Sequence, residues 1–518
     1  MTINEQLLTE LVTDTTALRA DILENSAPAF HTLADQGADL AALGPIADDL
    51  ETNASNIAKI QSALTDAARA VTSAQQAADA AAEATANSGV NPIMANAIRN
   101  SYSIAGRAPS VIADPVDGVY FSTNGACDFE NLFDYSRNST ASFIGGNGHI
   151  QSAGSDTPRT ENHAFKDGIW QRGGIRLDVE TTNLFKYSDD VSNATWTRGS
   201  VTFSSDTAPD GQTTAQSVTG VSGAASYIGQ ATTVTAGFNT FSIYAKAGAA
   251  NTICLRPYNF DATGDRAWFD LSAGTVLTKM SGLHSARIEP VGEGWFRCSV
   301  TFETTTNLSG TPYVYLSDGD NTLGNSGGNV LLWGAQIEKS STPTSYIVTD
   351  STSGTRSKDT LSIASENIPS SREGLTFVFE GLIDHVDMNY GERVRWVHWT
   401  KSGTSNALGA YLYDSHSLTS RIEAKYSTGV AKTSFSNSDA LGQGIAIPFK
   451  IAARYSATEV QNIVNGVPSA PAQNTTGMPD MDGADISQFL KNFTGTLSRF
   501  RIFDTALPEA ALIAETTL

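Results

Sequence analysis

Trp295-Phe296-Arg297-Cys298-Ser299-Val300-Thr301-Phe302 alternates so that Phe296, Cys298, Val300 and Phe302 share one side of an extended chain. Side chains on a strand point alternately to its two faces, so this pattern predicts a strand with one face on a core and one toward water. The neighbouring runs agree. Phe238-Asn239-Thr240-Phe241-Ser242-Ile243-Tyr244-Ala245 alternates in the same way, and Tyr313-Val314-Tyr315-Leu316 and Val330-Leu331-Leu332-Trp333 follow. Gly, Ser and Asp clusters separate these runs, the punctuation of an antiparallel sandwich. A second β block follows the linker Ser351-Thr352-Ser353-Gly354-Thr355. Its predicted strands are 375–381, 395–399, 409–413, 449–455 and 497–503. A short closing helix is expected over 508–512, with Pro508 at an N1-like position.

Residues 1–88 are different in kind. They are rich in Ala, Leu, Gln and Asp, and hold 13 acidic against 3 basic residues. Leu40, Leu43, Leu50, Ile57, Leu64 and Val71 fall on an alternating three–four spacing that continues to Ala82. That is the narrow seam of a coiled coil. These six residues are the expected trimerisation contacts. Three strands are favoured, although the seam alone does not fix the number, and a helical hairpin folded at residues 25–45 fits the same spacing. At the α-helical rise the long run makes a rod of roughly 65 Å. Prolines and glycines between 89 and 115 are expected to stop helices there. The fold expected is therefore mainly β with an N-terminal α-helical coiled coil and two β-sandwich, lectin-like domains. Its divisions are 1–88 (helical attachment segment and rod), 89–160 (neck and β linker), 161–350 (jelly roll) and 356–518 (second sandwich).

The chain has 518 residues, 33 Lys+Arg and 54 Asp+Glu, for a net charge of −21. That sign disfavours nucleic acid or anionic membrane as the main partner. No run of 18 apolar residues predicts membrane insertion. The N-terminus has no basic start or apolar run, so an ordinary signal peptide is not expected. Cys127, Cys254 and Cys298 have no metal or redox spacing, and the last two read as small core residues.

Three stretches resemble bacteriophage tail-fibre and related virion appendage proteins. The first is Phe133-Asp134-Tyr135-Ser136-Arg137-Asn138-Ser139-Thr140-Ala141, followed by Thr157-Pro158-Arg159. The second is Glu180-Thr181-Thr182-Asn183-Leu184-Phe185, with Trp333-Gly334-Ala335-Gln336-Ile337-Glu338 and Thr344-Ser345-Tyr346-Ile347, similar to the first and last strands of a carbohydrate-binding-like jelly roll. The third is residues 356–518, which look like a concanavalin A/laminin-G-like sandwich. The resemblance implies a homotrimeric virion fibre assembled in a bacterial cytoplasm. Its N-terminal region would meet other virion proteins, and its distal domains would bind host cell-surface glycan. A structural head fibre or tail decoration is the alternative, and a glycan depolymerase a lesser one.

Catalytic patterns are weak, and no enzyme is expected. Gly324-Asn325-Ser326-Gly327-Gly328 matches G-x-S-x-G, but lacks the strand–helix context of a nucleophile elbow. His398 lies between tryptophans and reads as a packed or surface histidine. No cofactor is expected beyond calcium. Asp318 and Asp320 in one acidic loop, and Asp480, Asp482 and Asp485 in another, offer the oxygen ligands calcium takes. Sugar binding needs flat rings beside hydrogen-bonding groups. Trp196, Tyr258, Trp268, Trp399, Tyr411 and Tyr413 are the candidates, with Trp295 and Trp396 also weighed. Trp396 and Trp399 are three apart, so a regular strand sends them to opposite faces and one of them to the core.

Overall fold

A computed structural model describes residues 92–518, except 167–168, 261–264, 370–372, 386–393, 416–418, 429–430, 436–440, 442–443 and 474–476. The chain divides into two units, residues 1–98 and 99–518. The rod expected over 1–88, with its seam Leu40, Leu43, Leu50, Ile57, Leu64 and Val71, lies outside the described residues. The neck was expected to be free of helix, yet Pro92–Ser101 is helical. Proline at a first helical position lacks only an N–H that would be unpaired there anyway, so Pro92 opens the helix instead of stopping it. Among the described residues no helix is long and apolar enough to cross a membrane.

The larger unit is built mostly of antiparallel strands. Two sheets face each other between residues 197 and 338. One has six strands, in the spatial order Val201–Asp206, Ala215–Gly220, Asn329–Glu338, Gly237–Ala247, Trp295–Thr304 and Ser285–Pro290. The other runs Thr197–Gly199, Tyr227–Gly229, Leu308–Ser317, Thr252–Tyr258, Ala267–Asp270 and Thr275–Lys279, with Thr232–Val234 also on Leu308–Ser317. Phe241, Ile243, Cys298, Val300, Phe302, Ile253, Leu255, Val314 and Leu316 fill the space between them. Each such side chain contributes roughly 1.5–3 kcal/mol by leaving water.

Trp295–Thr304 departs from its expected half-exposure. Trp295, Arg297, Ser299 and Thr301, on the face expected to be wet, are buried as well. A second apolar cluster of Tyr244, Trp295, Trp333 and Tyr346 covers that face. Arg297 lies beneath it, donating to the Thr344 carbonyl oxygen at 2.6 Å and to Ser242 Oγ at 3.1 Å.

The second sandwich gathers strands from far apart in the chain. In one sheet Gly495–Phe503 lies between Val111–Asp114 and Gly374–His385, and it also pairs with Ile169–Leu177. In the opposing sheet Asp134–Ser136 forms one edge, beside Thr360–Ile363. Segment 89–160, expected as neck and linker, thus supplies strands to both sheets. Its Val111, Ala113, Phe129, Leu132 and Phe133 join the core of Phe377, Phe379, Trp396, Phe449, Phe489 and Phe500. The closing helix is Glu509–Thr516, one residue later than expected, with Pro508 in extended geometry as its N-cap.

Thr181–Asn183 pairs with Gly354–Arg356, so the two ends of the jelly roll are clipped together where they leave the second sandwich. Beneath the clip lies a chain of buried charges. Asp359 accepts from Arg137 at 3.0 Å and from Arg159 at 2.6 Å, and Arg159 reaches Asp178 at 2.7 Å. Arg176 bridges Asp178 and Asp384, at 2.8 and 2.7 Å. Arg356 approaches Asp178 at 4.0 Å and donates to the Ser345 and Val179 carbonyl oxygens. Burial alone would raise the Asp178 carboxyl. The guanidinium groups of Arg176, Arg356 and Arg159 outweigh it and hold that carboxyl well below its usual range.

Candidate functional site

The first two of the stretches that carry the fibre resemblance turn out to be joints. Asn183 is fully buried and makes four hydrogen bonds. Its Nδ2 donates to the carbonyl oxygens of Ala335 and Ile347, and its Oδ1 accepts from the Phe185 and Ile337 amides. Gln336 and Glu338 form a second clamp, on the Ile347 amide and on the Thr344 amide and hydroxyl. Arg137 and Arg159 belong to the buried charge chain. None of these groups is free to meet a ligand.

The open chemistry lies on the outer face of the seven-stranded jelly-roll sheet. Ile253 and Leu255 point into the core, so Cys254, Arg256 and Tyr258 point outward. By the same parity Val314 and Leu316 are inward, Tyr313 and Tyr315 outward. The register places Arg256 opposite Tyr313, Cys254 opposite Tyr315, and Tyr227 opposite Tyr315. The result is a row of tyrosines across neighbouring strands. Ring centroids are 5.1 Å apart for Tyr227–Tyr313, 5.4 Å for Tyr227–Tyr315, 5.8 Å for Tyr313–Tyr315 and 6.0 Å for Tyr258–Tyr313.

Two glycines decide how these rings lie. A Cβ on Gly199 would stand 2.4 Å from the Tyr227 ring, and one on Gly229 would stand 2.4 Å from the Tyr313 ring. Each tyrosine therefore rests against bare backbone, close to the sheet. Tyr258 is 37% exposed, while Tyr227 and Tyr313 are half-buried. Among the described residues no hydrogen bond engages the hydroxyls of these three.

A charged pair borders the row. Arg256 Nε donates to both oxygens of the buried Asp265, at 3.2 and 3.0 Å, and its guanidinium stands 4.4 Å from the Tyr258 ring centre. The Arg256 charge also acts on Tyr315, opposing the upward shift of its phenol. Burial raises the Tyr315 phenol above its ordinary value, so it stays a neutral donor at pH 7. The arrangement offers flat ring faces to the C–H faces of a ligand, with hydroxyls and an oriented ion pair at hand for its polar groups.

The sequence candidates fare unequally. Tyr258 belongs to this row. Trp268 lies on the same face, but is 1% exposed and donates its Nε1 proton to the Thr322 carbonyl oxygen. Trp196 and Trp399, each 2% exposed, stack or bond inside their cores, Trp196 on Phe185 and Trp399 through Nε1 to the Ala484 carbonyl oxygen. A ring so enclosed has no face left for a sugar. Trp396 is buried with Trp399 in one core, because a register shift between Arg395 and Val397 breaks the alternation that would have separated them. Tyr411 is buried at 8%, its Oη paired with His398 Nδ1 at 2.7 Å. The Tyr413 side chain lies outside the described residues. Tyr227, Tyr313, Tyr315 and Arg256 were missed. The available signal was the i, i+2 spacing of Tyr313 and Tyr315 opposite the apolar Val314 and Leu316.

The carboxylates of the acidic loops meet partners both within their own turns and on distant segments. Asp318 Oδ1 accepts from Ser326 N and Oγ, which also fixes the serine of the G-x-S-x-G stretch. Asp320 accepts from Thr278 N and Oγ1. Asp480 pairs with Lys401 and accepts from the Asp482 amide, and Asp485 accepts from the Ser365 amide. Among the described residues no three His, Cys, Asp or Glu side chains gather as a metal site. Cys254 and Cys298 are fully buried as expected, and burial pushes the Cys254 thiol up to about 12.

No family model matches the sequence, and no curated protein matches it. Similar solved structures include the CBM40 module of a Ruminococcus gnavus IT-sialidase bound to α2,3-sialyllactose, at 13% identity over 29% of this chain and 84% of that one, with a TM-score of 0.23. Domain 4 of AbnA, a GH43 extracellular arabinanase from Geobacillus stearothermophilus in complex with arabinotriose, aligns at 11% identity over 31% and 73%, TM-score 0.23. Domains LG4-5 of the mouse laminin α1 chain align at 9% identity over 53% and 88%, TM-score 0.18.

Proposed function

We propose that this chain is a non-catalytic glycan-binding adhesin, and that the tyrosine row of the jelly roll is where it holds sugar. The observation that carries the reading is the pair of tyrosines seated on Gly199 and Gly229 beside Tyr258 and the Arg256–Asp265 pair. Side-chain-free backbone under an aromatic ring lets the ring lie along the sheet and show a face outward. In the setting the sequence suggests, the chain is a homotrimeric bacteriophage tail fibre joined through residues 1–88, with the β domains toward the host. Three shallow sites on one fibre gain by avidity, up to about 10²–10⁴-fold where geometry allows.

The test is binding of the full chain to host cells and to purified surface polysaccharide, with and without periodate oxidation. Binding is expected to be saturable, periodate-sensitive and weakened about tenfold or more by Tyr258→Ala or Tyr313→Ala, with circular dichroism unchanged. Equal binding by these variants would move the site elsewhere. Absence of glycan binding by folded protein would leave a structural virion role.

A further inference from the structure

A cavity of about 320 Å³ opens where the jelly roll meets the hairpins of residues 141–177 and the second sandwich. Phe143, Ile144, Phe165, Tyr244, Val291 and Leu382 form its apolar walls. Its size and lining are those of a small-molecule site, apolar with a few placed polar groups.

The charged groups on its wall are not equivalent. Arg176 is committed to Asp178 and Asp384. Arg297 is committed to the Thr344 carbonyl oxygen and Ser242 Oγ, with its guanidinium 5.3 Å from the Tyr244 ring centre. Asp384 takes Arg176 and the Ala446 amide. His163 has its Nδ1 on the Glu161 carbonyl oxygen. Glu289 stands apart. It is half-buried on the cavity wall, and among the described residues no hydrogen bond or ion pair engages its carboxylate. An unpaired carboxylate partly withdrawn from water is destabilising, and a cation entering the cavity would relieve that cost.

We infer that this cavity is a second ligand site, which takes a small organic cation with an apolar body and a primary ammonium group set against Glu289. An anionic ligand is disfavoured there, because Glu289 and Asp384 would repel it and Arg176 is already held between Asp178 and Asp384. Burial raises the Glu289 carboxyl to about 7, with Asp384 pushing the same way and Arg297 and Arg287 opposing. Occupancy should therefore grow as pH rises through neutrality, where the carboxylate forms.

The experiment is calorimetric titration of the full chain with hexylammonium, hexanol and hexanoate, at about pH 6 and about pH 8. Hexylammonium should bind saturably, more tightly at the higher pH, and better than either other probe. Glu289→Gln should weaken it about tenfold or more and remove the pH response. The inference fails if hexanoate or hexanol matches hexylammonium, if Glu289→Gln leaves affinity unchanged, or if no saturable binding appears at millimolar probe. The pH comparison on the unaltered protein does not depend on the variant folding. Neither result bears on the tyrosine row, which is tested separately with glycan.

Discussion

Asp359→Asn is the sharpest test of what joins the jelly roll to the second sandwich. The side chain is 1% exposed. Its Oδ1 accepts from Arg137 and Tyr135, and its Oδ2 from Arg159 and the Asp178 amide. The buried chain holds four guanidinium groups (Arg137, Arg159, Arg176, Arg356) and three carboxylates (Asp178, Asp359, Asp384), a net charge of 4 − 3 = +1. Asparagine makes it 4 − 2 = +2, and points an NH₂ group at donors. Removing one partner from a buried pair costs about 3–5 kcal/mol, most of it from the charge left behind. The control is Glu161→Gln. Its pair with Arg172 is largely solvated, and exposed pairs contribute about 0–1 kcal/mol. Unfolding in urea followed by tryptophan fluorescence should show the first transition of Asp359→Asn at clearly lower denaturant, with the control unmoved. A midpoint equal to wild type would refute the claim that this chain of charges holds the joint.

Acid should act on the same joint. The Asp178 carboxyl is depressed in the fold, so its contribution is complete above the ordinary aspartate range and is lost as pH falls through its lower folded value. Circular dichroism should show native structure through pH 4 and a loss below it. Glu289 runs the opposite way. Its raised folded value makes stability decline between its unfolded value near 4.5 and about 7, so Glu289→Gln should stabilise the protein at pH 8 and change little at pH 4, by thermal melts. Gly199→Ala would set a methyl carbon 2.4 Å from the Tyr227 ring and lift it, so glycan affinity should fall several-fold with little change in melting temperature. Trp399→Ala should instead cost about 3–5 kcal/mol of stability, through the cavity left and the lost bond to the Ala484 carbonyl oxygen, read as a urea midpoint shift.

Much of the β architecture was legible because alternation is a local signal. The runs at 238–245, 295–302, 375–381 and 449–455 all lie within observed strands. What alternation could not show was which faces are covered twice. Ser299 and Thr301 look like solvent residues, yet both are buried, Thr301 against Thr240 and the distant Ser341. The partnership of Val111–Asp114 with Gly495–Phe503 was equally hidden, since no local pattern announces a pairing across nearly the whole described chain. The tryptophan candidates lie buried for a related reason. A tryptophan's size favours burial wherever a core is near, and Trp196, Trp268 and Trp399 all found one. The tyrosine row was readable only in part, because it draws on several strands and on two glycines whose role appears once their neighbours are known.

The late pairing of Ile169–Leu177 with Gly495–Phe503 also sets a timetable for biosynthesis. Leu177 lies opposite Gly495, 318 positions later (495 − 177). At a ribosome's pace of about 5–20 residues per second, that partner emerges roughly 15–65 s afterwards. The jelly roll, contiguous between its clipped ends, can close during that interval. The second sandwich cannot, and its early strands wait with unpaired edges until the chain is almost finished. The jelly roll is thus expected to be the first part to become protease-resistant on the ribosome, and the second sandwich the part more dependent on chaperones during synthesis.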